Sequence, residues 1–356
     1  MVDRQKRRRT RKIKVGDIYI GGDSPISVQS MTKSKTWDLE NLYKEIDELV
    51  NEDCQIIRIT VPDDKSASVL KKIRKYTTRP LVADIHYDYR MAIKAIEAGF
   101  DKIRINPGNI GDSWKVKEII KCAIDHNIPI RIGVNSGSIP RKILEKYSRP
   151  TAKGMMETVD EYIKFFNDNG FFDIVVSLKS SDVKLTIQAN TLFSKKYDYP
   201  LHIGLTEAGP GMKGIIKSSI AIGYLLLNGI GDTIRVSLTG SSAEEVRAGY
   251  YILKSIGFKI PGINIISCPT CGRTQVNLVE MVNLFEKKTR RIKKDLTVAI
   301  MGCVVNGPGE AREADVGVAF GKSDAVLFKR GEIIEKIRGD QAVNRLIEEV
   351  KKFDEE

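Results

Sequence analysis

From Ile26 to Gly257 the chain repeats one unit: a short run rich in Ile and Val, then a longer stretch with apolar residues at helical spacing. The runs cover residues 26–30, 55–60, 81–85, 102–106, 130–134, 173–178, 201–205 and 233–238. Short, nearly continuous apolar runs are what parallel strands covered on both faces require. Between them, Leu39, Leu42, Ile46, Leu49 and Val50 form one helical face, and Ala92, Ile93 and Ile96 form another. Gly99, Gly170 and Gly257 stand where helices should stop. Eight strand–helix units over about 230 residues predict an α/β fold of the TIM (β/α)8 barrel type. A doubly wound open sheet is the alternative topology.

Around this barrel the chain has two further parts. Ile13 to Ile20 alternates about Gly16-Asp17 and reads as a β-hairpin that closes the barrel bottom. After Pro261 the pattern changes: strands at 263–267, 296–301, 316–320 and 325–329, and helices at 276–287 and 342–353, predict a smaller α+β module. The expected domains are a basic, disordered arm at 1–12, a barrel with its hairpin at 13–258, and a second domain at 259–356. No apolar run approaches the roughly 20 residues that span a bilayer, and the N-terminus shows no apolar leader. Free cysteines at metal-ligand spacing point to the cytoplasm.

The net charge of +12 raises the question of nucleic acid, but eight of the residues from 4 to 14 are Arg or Lys. Such an arm can bind nucleic acid non-specifically. The plainer reading is a solvated tail, so neither nucleic acid nor membrane is expected as a partner. The basic body suits anionic substrates and acidic electron carriers.

In a TIM barrel the chemistry sits at the C-terminal strand ends, and here those ends are polar. They carry Arg58, Asp84 and His86, Arg104 and Asn106, Arg131 and Asn135, Ser177 and Lys179, His202 with Thr206 and Glu207, and Arg235 with Ser237. One buried arginine is usually a satisfied ion pair. Four arginines and a lysine at matching places on five strands would be costly without an anion between them. Arginine forks match phosphate oxygens, so a small diphosphate is the expected ligand. His86, His202, Asp84 and Glu207 are the candidates for acid–base work. His126, Cys54 and Cys122 read as structural; the backbone amides of the loop Gly209–Gly214 could help hold phosphate, and a plain turn into a helix explains the loop equally well.

The cysteines set a second site. Cys268-Pro269-Thr270-Cys271 places two thiols on one tight loop, and Cys303 follows the apolar run 296–301. Three soft sulfurs suit an iron–sulfur cluster or zinc. A closed structural zinc site needs four ligands, and no fourth Cys or nearby His is present. Glu310 is the carboxylate best placed to complete the set.

The segments Ser267 to Thr274 and Met301 to Ala311 resemble the cluster motifs of the 4-hydroxy-3-methylbut-2-enyl diphosphate synthases. Ala83-Asp84-Ile85-His86, Arg104 to Asn109, Gly133 to Ser138 and Thr206 to Gly209 resemble the same family. The resemblance implies a [4Fe–4S] cluster on Cys268, Cys271, Cys303 and Glu310, with Glu310 giving way during turnover. It implies 2-C-methyl-D-erythritol 2,4-cyclodiphosphate as substrate, reduced flavodoxin or ferredoxin as donor, and a head-to-tail homodimer. Glu207, Glu310 and His86 are the expected catalytic groups. Two other readings compete: a basic RNA-binding protein with a zinc ribbon, and a barrel transferase for phosphorylated or pterin-like substrates with a purely structural cluster.

Overall fold

The computed structural model describes residues 7–290, 292–304 and 313–355. The chain divides after Phe258 into two compact units. Among the described residues no helix is long and apolar enough to cross a membrane.

The first unit opens with the hairpin β1 (Ile13–Val15) and β2 (Ile18–Ile20), paired antiparallel around Gly16-Asp17. Val15 and Ile20 pack on Ile56 and Val82, so the hairpin plugs the end of the barrel where the strands begin. Eight parallel strands follow: β3 (Ser27–Met31), β4 (Ile56–Thr60), β5 (Leu81–Asp84), β6 (Lys102–Ile105), β7 (Ile130–Asn135), β8 (Ile174–Lys179), β9 (His202–Ile203) and β10 (Thr233–Ile234). Their order is β8-β7-β6-β5-β4-β3-β10-β9. A parallel bridge from Val176 to Leu201 joins β8 to the start of β9 and closes the ring. The open-sheet alternative is thereby excluded.

Side chains alternate across each strand. Ile57 and Ile59, Ile103 and Ile105, Ile132 and Val134, and Val176 and Leu178 are fully buried on the helix-facing side. The intervening positions, including Arg58, Asp84, Arg104, Arg131, Ser177 and Lys179, point inward. The runs read as near-continuous because both faces are covered, and the polar interruptions mark the barrel interior.

The last two strands are much shorter than expected. Gly204 adopts φ +147°, and a Cβ there would lie 2.1 Å from the Arg235 carbonyl oxygen. Gly204 thus has no room for a side chain beside Arg235, and residues 205 and 235–238 lie beyond the paired strands.

The arm is also corrected. Residues 7–12 lie on the barrel rather than in solvent. Arg7 Nη2 donates to Asp232 Oδ1 at 3.0 Å, as does Thr10 Oγ1 at 3.0 Å. Arg8 Nη2 donates to the Tyr199 carbonyl at 2.7 Å, and Arg11 stacks on the Tyr199 ring.

The second unit is a five-stranded sheet in the order β11 (Ile263–Ser267), β12 (Leu296–Met301), β13 (Val316–Phe320), β14 (Asp324–Lys329) and β15 (Glu332–Arg338). The first three strands are parallel and the last two antiparallel. Helices Leu278–Thr289 and Ala342–Glu355 pack on it through Leu278, Phe285, Leu346 and Val350, against Val298, Ile300 and Val318. β15 is absent from the sequence reading. It is an edge strand with Ile333 and Ile334 both exposed and only Ile337 packed on the core, so its apolar alternation is weak.

Candidate active site

The barrel register sets three charged residues side by side. Asp84 on β5 pairs with Arg104 on β6, and Arg104 pairs with Arg131 on β7. Arg58 reaches the same point from β4. Its Nη2 donates to Asp84 Oδ2 at 2.6 Å, while Arg104 Nη1 donates to Oδ1 at 3.2 Å. His86 Nε2 lies 3.5 Å from Oδ2. Asp84 is thus the hub that fixes two guanidinium forks and one imidazole. Burial pushes its carboxyl up, but Arg58, then Arg104 and His86, outweigh that and hold it well below the usual carboxylate range.

Arg235 is held in the same way from the other side of the mouth. Its Nε and Nη2 both donate to Glu245 Oε2 at 3.2 Å. Glu245, on helix Ser242–Ser255, is a site residue that the sequence reading missed. A glutamate in the first turn of a helix ordinarily reads as a solvated dipole partner.

Among the described residues Arg131 and Lys179 have no such carboxylate partner. Arg131 is 1% exposed, and its Nε and Nη1 have no protein acceptor. Burial, then Arg58 and Arg104, pulls its guanidinium down; burial, then Arg131 and Arg235, pulls the Lys179 amine well below its ordinary range. An anion entering here relieves both.

Deeper in the barrel lies a polar layer. Ser27, Thr233 and His202 occupy one rung across β3, β10 and β9. Among the described residues both ring nitrogens of the fully buried His202 lack a protein partner, and so does Lys102 Nζ on β6. Burial, then Lys179 and Arg131, holds His202 well below its ordinary pKa, so the ring is neutral. The structure therefore sets His202 on the first rung of β9, below the strand ends. Lys102 was missed because a lysine opening a strand reads as a solvent-facing end.

The remaining predicted residues lie around the rim. Asn106 caps the turn Pro107–Ile110, accepting from Gly108 N at 3.3 Å. Asn135 ends β7 half-buried, and Ser177 sits buried two positions below Lys179. Thr206 N is tied to the Ser180 carbonyl at 3.2 Å. Glu207 is exposed and holds φ +52°, a conformation unfavourable to a side chain with a Cβ and often found at working sites. Ser237 is half-buried beyond β10.

In the second unit, Ser267 pairs with Ile300 on the parallel strands β11 and β12. Cys268 directly follows β11, and Cys303 follows β12 by two residues. Both loops emerge at one end of the sheet. They are stitched together by Gln275 N to the Gly302 carbonyl at 2.9 Å, and by Gly302 N to Cys268 Sγ at 3.3 Å. Gly302 sits close against Thr274, where a Cβ would stand 2.8 Å from Thr274 Cγ2. All three cysteines are free thiols. Hydrogen bonding to Arg273, backbone first and then side chain, lowers the Cys271 pKa toward the thiolate. Among the described residues no three His, Cys, Asp or Glu side chains close into a metal-sized group, and Glu310 lies outside the described residues. Three free thiols on two loops joined at one sheet end are a donor set that suits an iron–sulfur cluster.

Comparison with known proteins bears on both units. The GcpE TIM-barrel domain model matches residues 10–250, and the GcpE protein C-terminal domain model matches residues 264–352. The 4-hydroxy-3-methylbut-2-en-1-yl diphosphate synthase (flavodoxin) of Thermodesulfovibrio yellowstonii is 51% identical over 347 residues, covering 98% of this chain and 99% of that protein. The enzyme of the same name from Clostridium tetani is 52% identical over 345 residues, covering 97% and 99%. Among solved structures, Plasmodium falciparum HPPK-DHPS aligns with a TM-score of 0.52 at 14% identity, over 71% of this chain and 51% of that one. At that identity the likeness is one of fold alone. The chain belongs to the GcpE family, the oxidoreductases named 4-hydroxy-3-methylbut-2-en-1-yl diphosphate synthase.

Proposed function

We propose that this chain carries out the reductive ring opening and dehydration of 2-C-methyl-D-erythritol 2,4-cyclodiphosphate to 4-hydroxy-3-methylbut-2-enyl diphosphate. Two electrons and two protons are consumed and one water leaves. The relatives' names include flavodoxin, and reduced flavodoxin, or a ferredoxin in its place, is the proposed donor. The observation that carries the reading is the mouth itself. Arg58, Arg104, Arg131, Lys179 and Arg235 line it with only Asp84 and Glu245 as buried carboxylate partners among the described residues. A diphosphate supplies the missing negative charge.

Cys268, Cys271, Cys303 and Glu310 would hold the [4Fe–4S] cluster. When bound, it supplies single electrons and a Lewis-acidic iron. The chain's own residues do the rest. The Arg58 and Arg104 forks, fixed by Asp84, bind phosphate oxygens in a set orientation. Arg131 and Lys179 gain most from the anion, because burial disfavours their charge until it arrives. His86, steadied by Asp84, and Glu207 at the rim are the proposed proton donors to the departing oxygen. Asn106, Asn135, Ser177, Thr206 and Ser237 offer neutral hydrogen bonds that orient the carbon skeleton, and neutral His202 supports the floor. The proposed active assembly is a head-to-tail homodimer.

Anaerobic incubation of the reconstituted protein with the cyclodiphosphate and reduced flavodoxin tests this, with product followed by mass spectrometry. The linear diphosphate should appear and should vanish in Arg131→Ala. Unchanged cyclodiphosphate with cluster-loaded protein would rule the reading out. Mixing Arg131→Ala with Cys303→Ala chains tests the assembly: recovered activity supports sites shared between two chains, and a verified heterodimer that stays inert contradicts them.

A further inference from the structure

Two buried carboxylates hold the forks that face the barrel mouth, and one of them is not on a strand. The Glu245 side chain is completely buried. Every group that surrounds its two oxygens is a donor. Arg235 Nε and Nη2 lie 3.2 Å from Oε2, and Ser30 Oγ donates to the same oxygen at 2.8 Å. Leu238 N donates to Oε1 at 3.0 Å, and Lys33 Nζ stands 3.2 Å from it. Lys33 is also anchored on the carbonyls of Leu238 and Gly240. One carboxylate therefore ties together the end of β3, the chain beyond β10 and the helix behind them.

The consequence for Arg235 is directional. Its Nε and Nη2 face are spent on Glu245. Its Nη1 has only the Met31 sulfur at 3.7 Å, a weak acceptor. The guanidinium is held from behind with one prong still able to take a strong acceptor. A guanidinium fixed this way loses little freedom on binding phosphate. Lys33, about one-third exposed, is held beside it by the same carboxylate.

We infer that Glu245 is a positioning residue for the diphosphate site: it aims Arg235 at an entering phosphate without touching the ligand. The inference rests on the reading of the mouth as a diphosphate site. It assigns the β10 side of the barrel a carboxylate-held guanidinium, the counterpart of the Arg58–Asp84–Arg104 group on the β5 side.

A double-mutant cycle on the full chain tests it, with calorimetry of inorganic pyrophosphate binding as the readout. Glu245→Gln places an amide NH2 among donors and frees the arginine. Glu245→Gln and Arg235→Met should each weaken binding by about tenfold or more, the weight of one charge-assisted hydrogen bond. Because Glu245 acts through Arg235, the double variant should bind no more weakly than Arg235→Met alone. Far-UV circular dichroism checks that each variant is folded. Should Glu245→Gln fail to fold, Glu245→Asp, which keeps the charge and shortens its reach, takes its place in the cycle. Folded Glu245 variants that bind like the wild type, or losses that multiply in the double variant, overturn the positioning role. A wild-type chain that does not bind pyrophosphate overturns the diphosphate reading and the inference together.

Discussion

Lys102 shows most simply how the barrel trades stability for binding. It is an amine with no exposure and, among the described residues, no protein acceptor, in the polar layer that also holds His202, below Arg131. Burial, then Arg131 and Arg58, lowers its pKa well below the ordinary lysine range. The sign follows directly. The folded state disfavours the proton and the unfolded chain regains it, so this group favours folding more as pH rises toward about 10.4. Lys102→Met should therefore stabilise the protein at pH 7, by on the order of 1–4 kcal/mol, as apolar replacements of buried ions often do. The gain should shrink between pH 7 and pH 10. Urea unfolding at several pH values measures it, and a destabilised variant would mean that Lys102 has a partner of its own. The recurring Arg58, Arg104, Arg131 and Arg235 were legible in the sequence because polar residues interrupt otherwise apolar strands. Lys102 and Glu245 were not, because a strand's first residue and a helix's first turn are ordinary places for charge. What gathers them is the closure of the ring, which sequence spacing does not express.

At the scale of elements, the short strands β9 and β10 are the weak seam of the barrel, and the N-terminal arm lies across it. Asp232, immediately before β10, is 1% exposed. It accepts from Leu201 N at 2.8 Å, from Arg7 and from Thr10. Arg8 and Arg11 reach Tyr199 and Asp198, just before β9. The arm thus clips together the two strand starts that have the fewest ladder bonds. Removing residues 1–11 leaves the buried Asp232 carboxylate short of two donors, at a cost of about 1–3 kcal/mol for each unmet group. The truncated chain should melt several degrees lower, by differential scanning calorimetry. An unchanged melting temperature would return the arm to the role of a tail. A run of arginines looks the same in sequence whether its partners are water or a carboxylate some two hundred positions away, so the clip could not be read in advance. The barrel helices and most of the strands could, because their apolar periodicity is local.

At the scale of the whole molecule, two units carry two complementary chemistries. One gathers cations with few buried anions, and the other brings free thiols to one end of a sheet. Arg7, Arg11 and Lys12 of the arm are engaged in ion pairs with Asp232, Asp198 and Asp23. The five-stranded sheet is unlike a zinc ribbon. The cysteine spacing was plain in the sequence, while the parallel pairing of β11 and β12 that brings the Cys268 and Cys303 loops out at one end of the sheet emerges only from the fold. The proposed function turns on whether these thiols, with Glu310, hold a [4Fe–4S] cluster. Iron and sulfide analysis of anaerobically purified protein, with spectra before and after adding the cyclodiphosphate and dithionite, addresses it directly. The account predicts about four irons and four sulfides per chain, as in a [4Fe–4S] centre, and a spectrum that changes when the cyclodiphosphate is added. One zinc per chain in the place of iron, with no spectral response to substrate, would contradict it.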